Sequence, residues 1–441
     1  MTSPQQDGLP SARPAEAEPS SYGRGARILS LGIATTGLVT FAFFSLASHA
    51  LEEVEYKGIT LLWSVMFLII SIIYRPVEQL LSRTISTRRA RGLEGAHPLR
   101  AAIVIQLGSA TLFLAVALAF RERIERDVFD GSAALYWVLV VGVMAYAASY
   151  FARGWLAGHS RFGLYGGLVL LESCSRCLFA LAVVIGVASG QTAVALGIAA
   201  APLVSLVVVP WALRGRRADG DGPPAAREAG DPGGLGQSTR FAGAVLAIMA
   251  AEQALLNFPV VAADVTAQDA ALAGFVFNVL LITRAPLQLF QAIQTSLLPH
   301  LSGLAATDGS EDFARALRVT LLAIAGFAGL VVLGLATVGP FAMDLLFGGD
   351  FAYGRAGLVL VGLGMGFHLT AGTLNQAALA RGRAGLAAAA WLGCAALFLA
   401  WLLLSPLDDP LLEVEAGYCA TTATLAAALW LIERRAAPRE A

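Results

Sequence analysis

Residues 269–300 read DAALAGFVFNVLLITRAPLQLFQAIQTSLLPH, a run that is long and apolar enough to cross a bilayer as a helix. Arg284 lies near its middle, where a guanidinium costs about 2.5 to 3.5 kcal/mol, so we expect it to face a cavity, an acid or an anionic ligand. Gln288, Gln291 and Gln294 follow on one helix face. We therefore predict that Arg284, Gln288 and Gln291 line a cavity. The alternative is an intramembrane ion pair that only fixes helix packing.

The composition of the whole chain also indicates a membrane protein. It has 441 residues, of which 57% are hydrophobic and 14% are charged, with a mean hydropathy of +0.69. Soluble domains carry about 25% charged residues. The formal net charge of -1 leaves no global basic field that would attract nucleic acid. The sequence therefore predicts an all-α polytopic membrane protein that does not bind nucleic acid.

Apolar runs of bilayer length predict about 12 membrane spans, and the one long polar linker divides them into six and six, an N-terminal and a C-terminal lobe. The predicted units share this two-lobe plan: a cytoplasmic tail at 1–27, an N-terminal lobe at 28–213, a linker at 214–240, a C-terminal lobe at 241–432 and a cytoplasmic tail at 433–441. About 23 of the basic residues fall at even-numbered span ends or in the N-terminal tail, and about 5 fall on the opposite side. Both termini and the linker are therefore expected in the cytoplasm, with the protein in the cytoplasmic membrane.

The two halves show signs of an internal repeat. The string YRPVEQLL, from Tyr74 in the second span, aligns with RAPLQLFQ, from Arg284 in the eighth. Internal repeats of this kind are typical of transporters, whose substrate site lies between the halves. Pro76 and Pro286 occupy matching positions, and since prolines kink membrane helices, they are our hinge candidates.

Four ionisable residues lie well inside predicted spans. Glu172 and Arg176 are separated by four positions in the fifth span, with the acid first, which favours an intrahelical ion pair. Glu252 in the seventh span has no partner within its own helix, and neither has Arg284 in the eighth. Glu252 could pair with Arg284 across the two helices, or each could face a water-filled cavity.

Motifs of soluble catalysts are absent from the sequence. It contains no Walker A string and no G-x-S-x-G, and its five histidines show no metal-ligand spacing. We therefore expect no enzymatic activity, no cofactor and no metal site.

Several stretches carry a resemblance to a known family. They are RPVEQLLSRTISTRRARG (75–92), RGWLAGHSRFGLYGGLVLLESCSR (153–176), LLITRAPLQLFQAIQTSLLPHLSGLAA (280–306) and TAGTLNQAALARGRAG (370–385). With the six-plus-six layout, the chain resembles the multidrug/oligosaccharidyl-lipid/polysaccharide (MOP) exporter superfamily from about residue 25 to about residue 432. The closer resemblance is to its polysaccharide-transporter branch, the flippases of lipid-linked sugars.

The resemblance implies two six-helix lobes around a central cavity. It also implies a flippase or exporter that moves a lipid-linked oligosaccharide or polysaccharide precursor across the membrane by alternating access. In such flippases, arginines in the cavity bind the pyrophosphate of the lipid carrier. Arg284 and Arg75 are the candidates for this role here, because the first span carries no charge. The implied partners are a polyprenyl-linked saccharide and membrane lipid, with glycosyltransferases or a polymerase of the same pathway as further candidates.

Three alternatives remain open, the last of which is a homologue that no longer transports and acts as a scaffold. The first is a multidrug/cation antiporter of the same superfamily, for which Glu252 is the candidate cavity carboxylate. The second is a membrane-embedded polysaccharide polymerase or ligase, which would need a sizeable outer loop with catalytic polar residues.

Overall fold

The computed structural model describes residues 19–92, 98–208, 210, 235–266, 290, 295–307, 310–341, 354–404, 407 and 409–435. Within these ranges the chain forms helices joined by turns, and no strand. The N-terminal lobe contains α1 (Pro19–Ala50), α2 (Glu53–Ile73), α3 (Arg75–Ala90), α4 (Pro98–Ala119), α5 (Arg121–Phe129), α6 (Ala133–Gly158), α7 (Phe162–Val184) and α8 (Gly190–Ser205), which ends in a 3-10 turn (Leu206–Val208). The C-terminal lobe contains α9 (Leu235–Thr266), α10 (295–306), α11 (Ser310–Thr337), α12 (Arg355–Ala380), α13 (Ala384–Leu404) and α14 (Pro410–Arg434).

The predicted spans agree well with these helices. Every predicted span except the eighth coincides with a helix, and nine helices among the described residues are long and apolar enough to cross a membrane. Most of the eighth span lies outside the described residues, together with Arg284, Pro286, Gln288 and Gln291. The all-helical, two-lobe architecture is confirmed.

Two predicted boundaries differ from the structure. Helix α1 begins at Pro19, inside the segment predicted as a tail, and α9 begins at Leu235, inside the predicted linker. Both helices start in polar sequence that a search for apolar runs does not detect. The centre of the linker, residues 211–234, lies outside the described residues.

The outer surface of the helical bundle is apolar. On α11, for example, Leu322, Leu330 and Leu333 are each at least 60% exposed. Contact with water would cost about 25 cal/mol for each Å² of such surface, whereas lipid tails carry no such penalty. The chain is a multi-pass membrane protein, and these side chains face lipid.

Each lobe has its own apolar core. In the N-terminal lobe, Leu62 and Met66 of α2 pack with Val143 of α6 and Ile198 of α8. In the C-terminal lobe, the core is built mainly from α9, α12, α13 and α14. The lobes meet where α9 packs against α2, α3 and α4, and Leu80 of α3 belongs to the core of the C-terminal lobe.

Helix α3 corrects one feature of the predicted topology. Hydropathy predicts that the second span ends at about residue 77, but the chain bends at Tyr74 and continues as α3, about 24 Å further. Pro76 lies in the first turn of α3, where its missing N–H removes no helical hydrogen bond. Arg75 therefore lies within the helical bundle, at the bend, rather than at the cytoplasmic end of a span.

Close packing holds α3 against α6. A methyl group on Gly154 of α6 would lie 2.8 Å from the backbone oxygen of Glu78, and one on Gly158 would lie 2.7 Å from Cβ of Ile85. Two glycines four positions apart thus let the backbones approach, as in other membrane helix pairs. This contact positions the polar residues of α3 at the lobe interface.

Candidate functional site

A buried ion pair lies inside the N-terminal lobe. Glu172 of α7, only 1% exposed, accepts hydrogen bonds from the guanidinium of Arg153 on α6 and from the hydroxyl of Ser149. The hydroxyl of Ser205 on α8 donates a further hydrogen bond, at 3.3 Å. A buried carboxylate is tolerated only when it is paired and hydrogen-bonded, and Glu172 meets both conditions with partners from two other helices.

The predicted ion pair between Glu172 and Arg176 is therefore wrong in its partner. Arg176 donates hydrogen bonds to the hydroxyl of Tyr146, at 2.9 Å, and to the hydroxyl of Ser173, at 2.7 Å. The prediction failed because the apolar run of the fourth span ends just before Arg153. Helix α6 in fact continues beyond Arg153, so this arginine lies inside the lobe and reaches Glu172 first.

Aromatic rings stabilise the charge of Arg176. Its guanidinium carbon lies 4.9 Å from the ring centroid of Trp63 and 5.7 Å from that of Phe67, both on α2. A desolvated cation–π contact of this kind contributes about 2 kcal/mol. Arg176 is thus a structural cation that joins α7 to α2.

A pocket opens between the two lobes. Its lining comes from α3, α6 and α10, and consists of Arg75, Glu78, Gln79, Ser82, Ala157, Thr295 and Leu298. Because α10 belongs to the C-terminal lobe, a rotation of one lobe against the other would change the shape of this pocket.

Arg75 is the cation of the pocket. Among the residues that the structure describes, no acceptor lies within hydrogen-bonding distance of its guanidinium. Glu252 of α9 and Glu78 act on it electrostatically from further away, and Glu78 accepts its own hydrogen bond from the hydroxyl of Tyr165, at 2.8 Å. Arg75 therefore offers the N–H donors of a planar guanidinium to a ligand in the pocket.

A second polar chain lies in the C-terminal lobe. His368 of α12, 1% exposed, has its Nε2 3.5 Å from Oε1 of Glu252, and its Nδ1 3.1 Å from the hydroxyl of Tyr418 on α14. The ring of Trp391 on α13 meets His368 edge to face, with centroids 5.6 Å apart. Glu252, which lacks a partner in its own helix, thus has one on another helix.

The predicted site residues fall into three groups. Arg75 and Glu252 interact electrostatically across the lobe interface, although they belong to different lobes. Glu172 and Arg176 belong to the separate cluster inside the N-terminal lobe. The predicted positions Arg284, Gln288 and Gln291 lie outside the described residues, so a contact between Glu252 and Arg284 stays a prediction.

Sequence reasoning missed several polar residues of these clusters. Glu78 could have been found, since it lies three positions after Arg75 and so shares a helix face with it. His368 and Tyr418 could not be found in this way. His368 is 116 positions from Glu252 in the sequence, and Tyr418 is 50 positions from His368. Only the packing of α9, α12 and α14 brings these three side chains together.

No family model matches the chain. The uncharacterized protein Rv1510 of Mycobacterium tuberculosis is 29% identical over 269 residues, which are 59% of this chain and 57% of that protein. The uncharacterized protein Rv3630 of the same organism is 26% identical over 331 residues, 72% of this chain and 71% of that protein. The chain thus spans little more than half the length of the first of these relatives.

Solved structures match nearly the whole chain. A MATE transporter in its straight conformation has a TM-score of 0.77 at 13% identity, with coverage of 94% of this chain and 95% of that one. The Vibrio cholerae MATE transporter VcmN in its bent form has a TM-score of 0.75 at 15% identity, with coverage of 95% and 98%. A MOP superfamily transporter from Pyrococcus furiosus has a TM-score of 0.73 at 12% identity, with coverage of 94% and 95%. The fold of this chain is therefore that of the MATE transporters.

Proposed function

We propose that the chain is an alternating-access exporter of the cytoplasmic membrane whose cargo is a lipid-linked oligosaccharide or polysaccharide precursor. The observation that supports this cargo is the position of Arg75, a guanidinium in the pocket between the lobes whose donors have no protein acceptor among the described residues. The fold supports the transport mechanism, because its likeness to MATE transporters extends over both lobes.

The chemistry of Arg75 suits a phosphate. A guanidinium donates two parallel hydrogen bonds to phosphate oxygens, a geometry that an ammonium group does not reproduce. Glu252 and Glu78 interact with Arg75 electrostatically at longer range, so they do not occupy its donors. A pyrophosphate between a lipid carrier and its sugar is an anion that this arrangement can bind.

The lobe interface has contacts that alternating access would have to break. Leu80 of α3 packs into the core of the C-terminal lobe, and the guanidinium carbon of Arg83 lies 4.9 Å above the ring of Phe241 on α9. Both contacts lie on the segment that follows Arg75 towards the end of α3. Rocking of the two lobes would separate them and open the pocket on that side.

The multidrug/cation antiporter is the second candidate, and one observation favours it. The side chain of Glu252 is 15% exposed, so its carboxylate is not completely enclosed by protein. A cationic cargo would be attracted to Glu252 but repelled by Arg75. The two cargos therefore predict opposite effects of removing Arg75, since affinity falls for a phosphate-bearing lipid and rises for a cation.

Binding of a polyprenyl pyrophosphate-linked saccharide to the purified protein tests the proposal. A charge-assisted hydrogen bond contributes about 1.5 to 3 kcal/mol, so Arg75→Ala should weaken binding by about 10- to 100-fold, and Arg75→Lys by less. Arg89→Ala is the matched control, because Arg89 lies on the same helix but is exposed. Equal affinity of the Arg75→Ala and Arg89→Ala variants would reject the proposed cargo site.

A further inference from the structure

We propose that Gln79 of α3 is a specificity-determining residue, whose side-chain oxygen accepts a hydrogen bond from a hydroxyl of the first sugar of the cargo. The inference deepens the proposed function and rests on it, because Arg75 has to bind the adjacent pyrophosphate. It assigns the interlobe pocket to a glycosyl pyrophosphate rather than to a lipid pyrophosphate without a sugar.

Gln79 has a buried hydrogen-bond acceptor without a donor. The residue lies in the wall of the interlobe pocket and is 9% exposed. Among the residues that the structure describes, no group donates to its Oε1. Buried polar atoms in native proteins nearly always have a partner, so an unpaired one beside a pocket indicates a ligand. A donor on a molecule that enters the pocket would satisfy this oxygen.

The neighbouring polar groups of the pocket wall have partners within the protein. Glu78 accepts a hydrogen bond from the hydroxyl of Tyr165, which is also hydrogen-bonded to Thr295 of α10. The hydroxyl of Ser82 donates to the backbone oxygen of Gln79, at 3.1 Å. None of these donors is directed to the side-chain oxygen of Gln79, which therefore stays available to a ligand.

The position of Gln79 relative to Arg75 suits a single ligand. The two residues are four positions apart on α3, so they share one helix face and lie about 6 Å apart along the helix axis. The hydroxyls of a sugar lie within a few bonds of the phosphate to which the sugar is attached. A ligand whose phosphate is held by Arg75 can therefore place a sugar hydroxyl beside Gln79.

The chemistry of the two side chains distinguishes a sugar from a second phosphate. Ionised phosphate oxygens only accept hydrogen bonds, so they match the donors of Arg75 and are repelled by the oxygen of Gln79. A hydroxyl both donates and accepts, as does the carboxamide of Gln79. The two residues together thus fit a ligand that carries an anion next to a hydroxyl. Such a site favours the sugar-loaded carrier over the empty one.

The chain offers a matched control in Gln106 of α4. It is also buried, at 6% exposure, but its Nε2 donates to the backbone oxygen of Ala147, at 2.8 Å, and it does not line the interlobe pocket. Methionine is similar in shape to glutamine but has no amide. Gln106→Met breaks a formed hydrogen bond and should lower the melting temperature, whereas Gln79→Met removes an unpaired acceptor and should leave it unchanged or raise it.

Binding of two lipids of equal charge to the purified full chain tests the proposal. One is a polyprenyl pyrophosphate that carries a hexose, and the other is the methyl ester of the same polyprenyl pyrophosphate, which has no hydroxyl. The ratio of their affinities measures recognition of the sugar. In Gln79→Met this ratio should fall by about 3- to 10-fold, the effect of one hydrogen bond between neutral groups. In Gln106→Met it should equal the wild-type ratio.

Two results would overturn the proposal. The first is an affinity ratio that is unchanged in Gln79→Met. The second is a Gln79→Met protein that melts at a lower temperature than the wild type or does not fold, because Gln79 would then be a structural residue.

The variant Arg75→Ala separates this inference from the proposed function, since it should weaken both lipids equally. If it does so while Gln79→Met leaves the ratio unchanged, the cargo site at Arg75 stands and the role of Gln79 fails. If Arg75→Ala weakens neither lipid, the proposed function itself fails.

Discussion

Arg153 of α6 and Glu172 of α7 form a buried ion pair that ties two helices of the N-terminal lobe together. Their side chains are 11% and 2% exposed, so neither charge is solvated by bulk water. The pair sits beside Arg176 without including it, and the two arginines have separate partners. Arg75, by contrast, lines the interlobe pocket.

Removing one member of the Arg153–Glu172 pair should destabilise the protein more than removing both. Arg153→Met or Glu172→Gln alone leaves an uncompensated buried charge, which costs about 3 to 5 kcal/mol, while the double variant Arg153→Met/Glu172→Gln should recover much of the loss. Thermal unfolding of the detergent-solubilised protein measures this. The control is the double variant Glu172→Gln/Arg176→Met. If this variant recovers the stability and Arg153→Met/Glu172→Gln does not, Glu172 pairs with Arg176 within its own helix.

The contact between α3 and α6 should be sensitive to a single methyl group. In Gly154→Ala the new Cβ would lie 2.9 Å from the backbone Cα of Glu78, and overpacking of this kind costs about 1 to 3 kcal/mol. Gly167→Ala on α7 is the control, since its Cβ would meet nothing within 4 Å. Equal melting temperatures of the two variants would show that α3 does not pack tightly on α6.

The topology can be checked by cysteine labelling on a background without the four native cysteines. The positive-inside rule places the linker in the cytoplasm. Ala225→Cys should therefore resist an impermeant maleimide in intact cells and react after permeabilisation. Asp127→Cys on α5, at the predicted outer side, should react in both cases. Labelling of position 225 from outside would invert the proposed orientation.

Hydropathy predicted the helices well because each membrane span must form its own backbone hydrogen bonds and present an apolar surface to lipid. It failed for α3, whose charged sequence resembles a loop. The signal was nevertheless present, since Val77, Leu81 and Ile85 recur every four positions and form the buried face of α3. Helical periodicity, rather than mean hydropathy, would have identified this segment.

The side-chain partners were less predictable than the helices. Arg176 lies four positions after Glu172, and Arg153 lies 19 positions before it. The spacing of four residues favours an ion pair within one helix, so the sequence pointed to Arg176. Which one pairs depends on how α6 and α7 pack, and that packing is a property of the whole lobe. The same reason explains why Glu252 could be singled out as a lone carboxylate while its partner His368 could not.

Transport of a polyprenyl-linked oligosaccharide across proteoliposome membranes is the most direct test of the exporter proposal. The wild type and Arg89→Ala should move the lipid at equal rates, Arg75→Lys should be slower although it keeps the charge, and Arg75→Ala should be slower still, by about 10- to 100-fold at limiting cargo. Undiminished transport by Arg75→Ala at equal reconstitution, or transport of organic cations but not of the lipid-linked saccharide by the wild type, would contradict it.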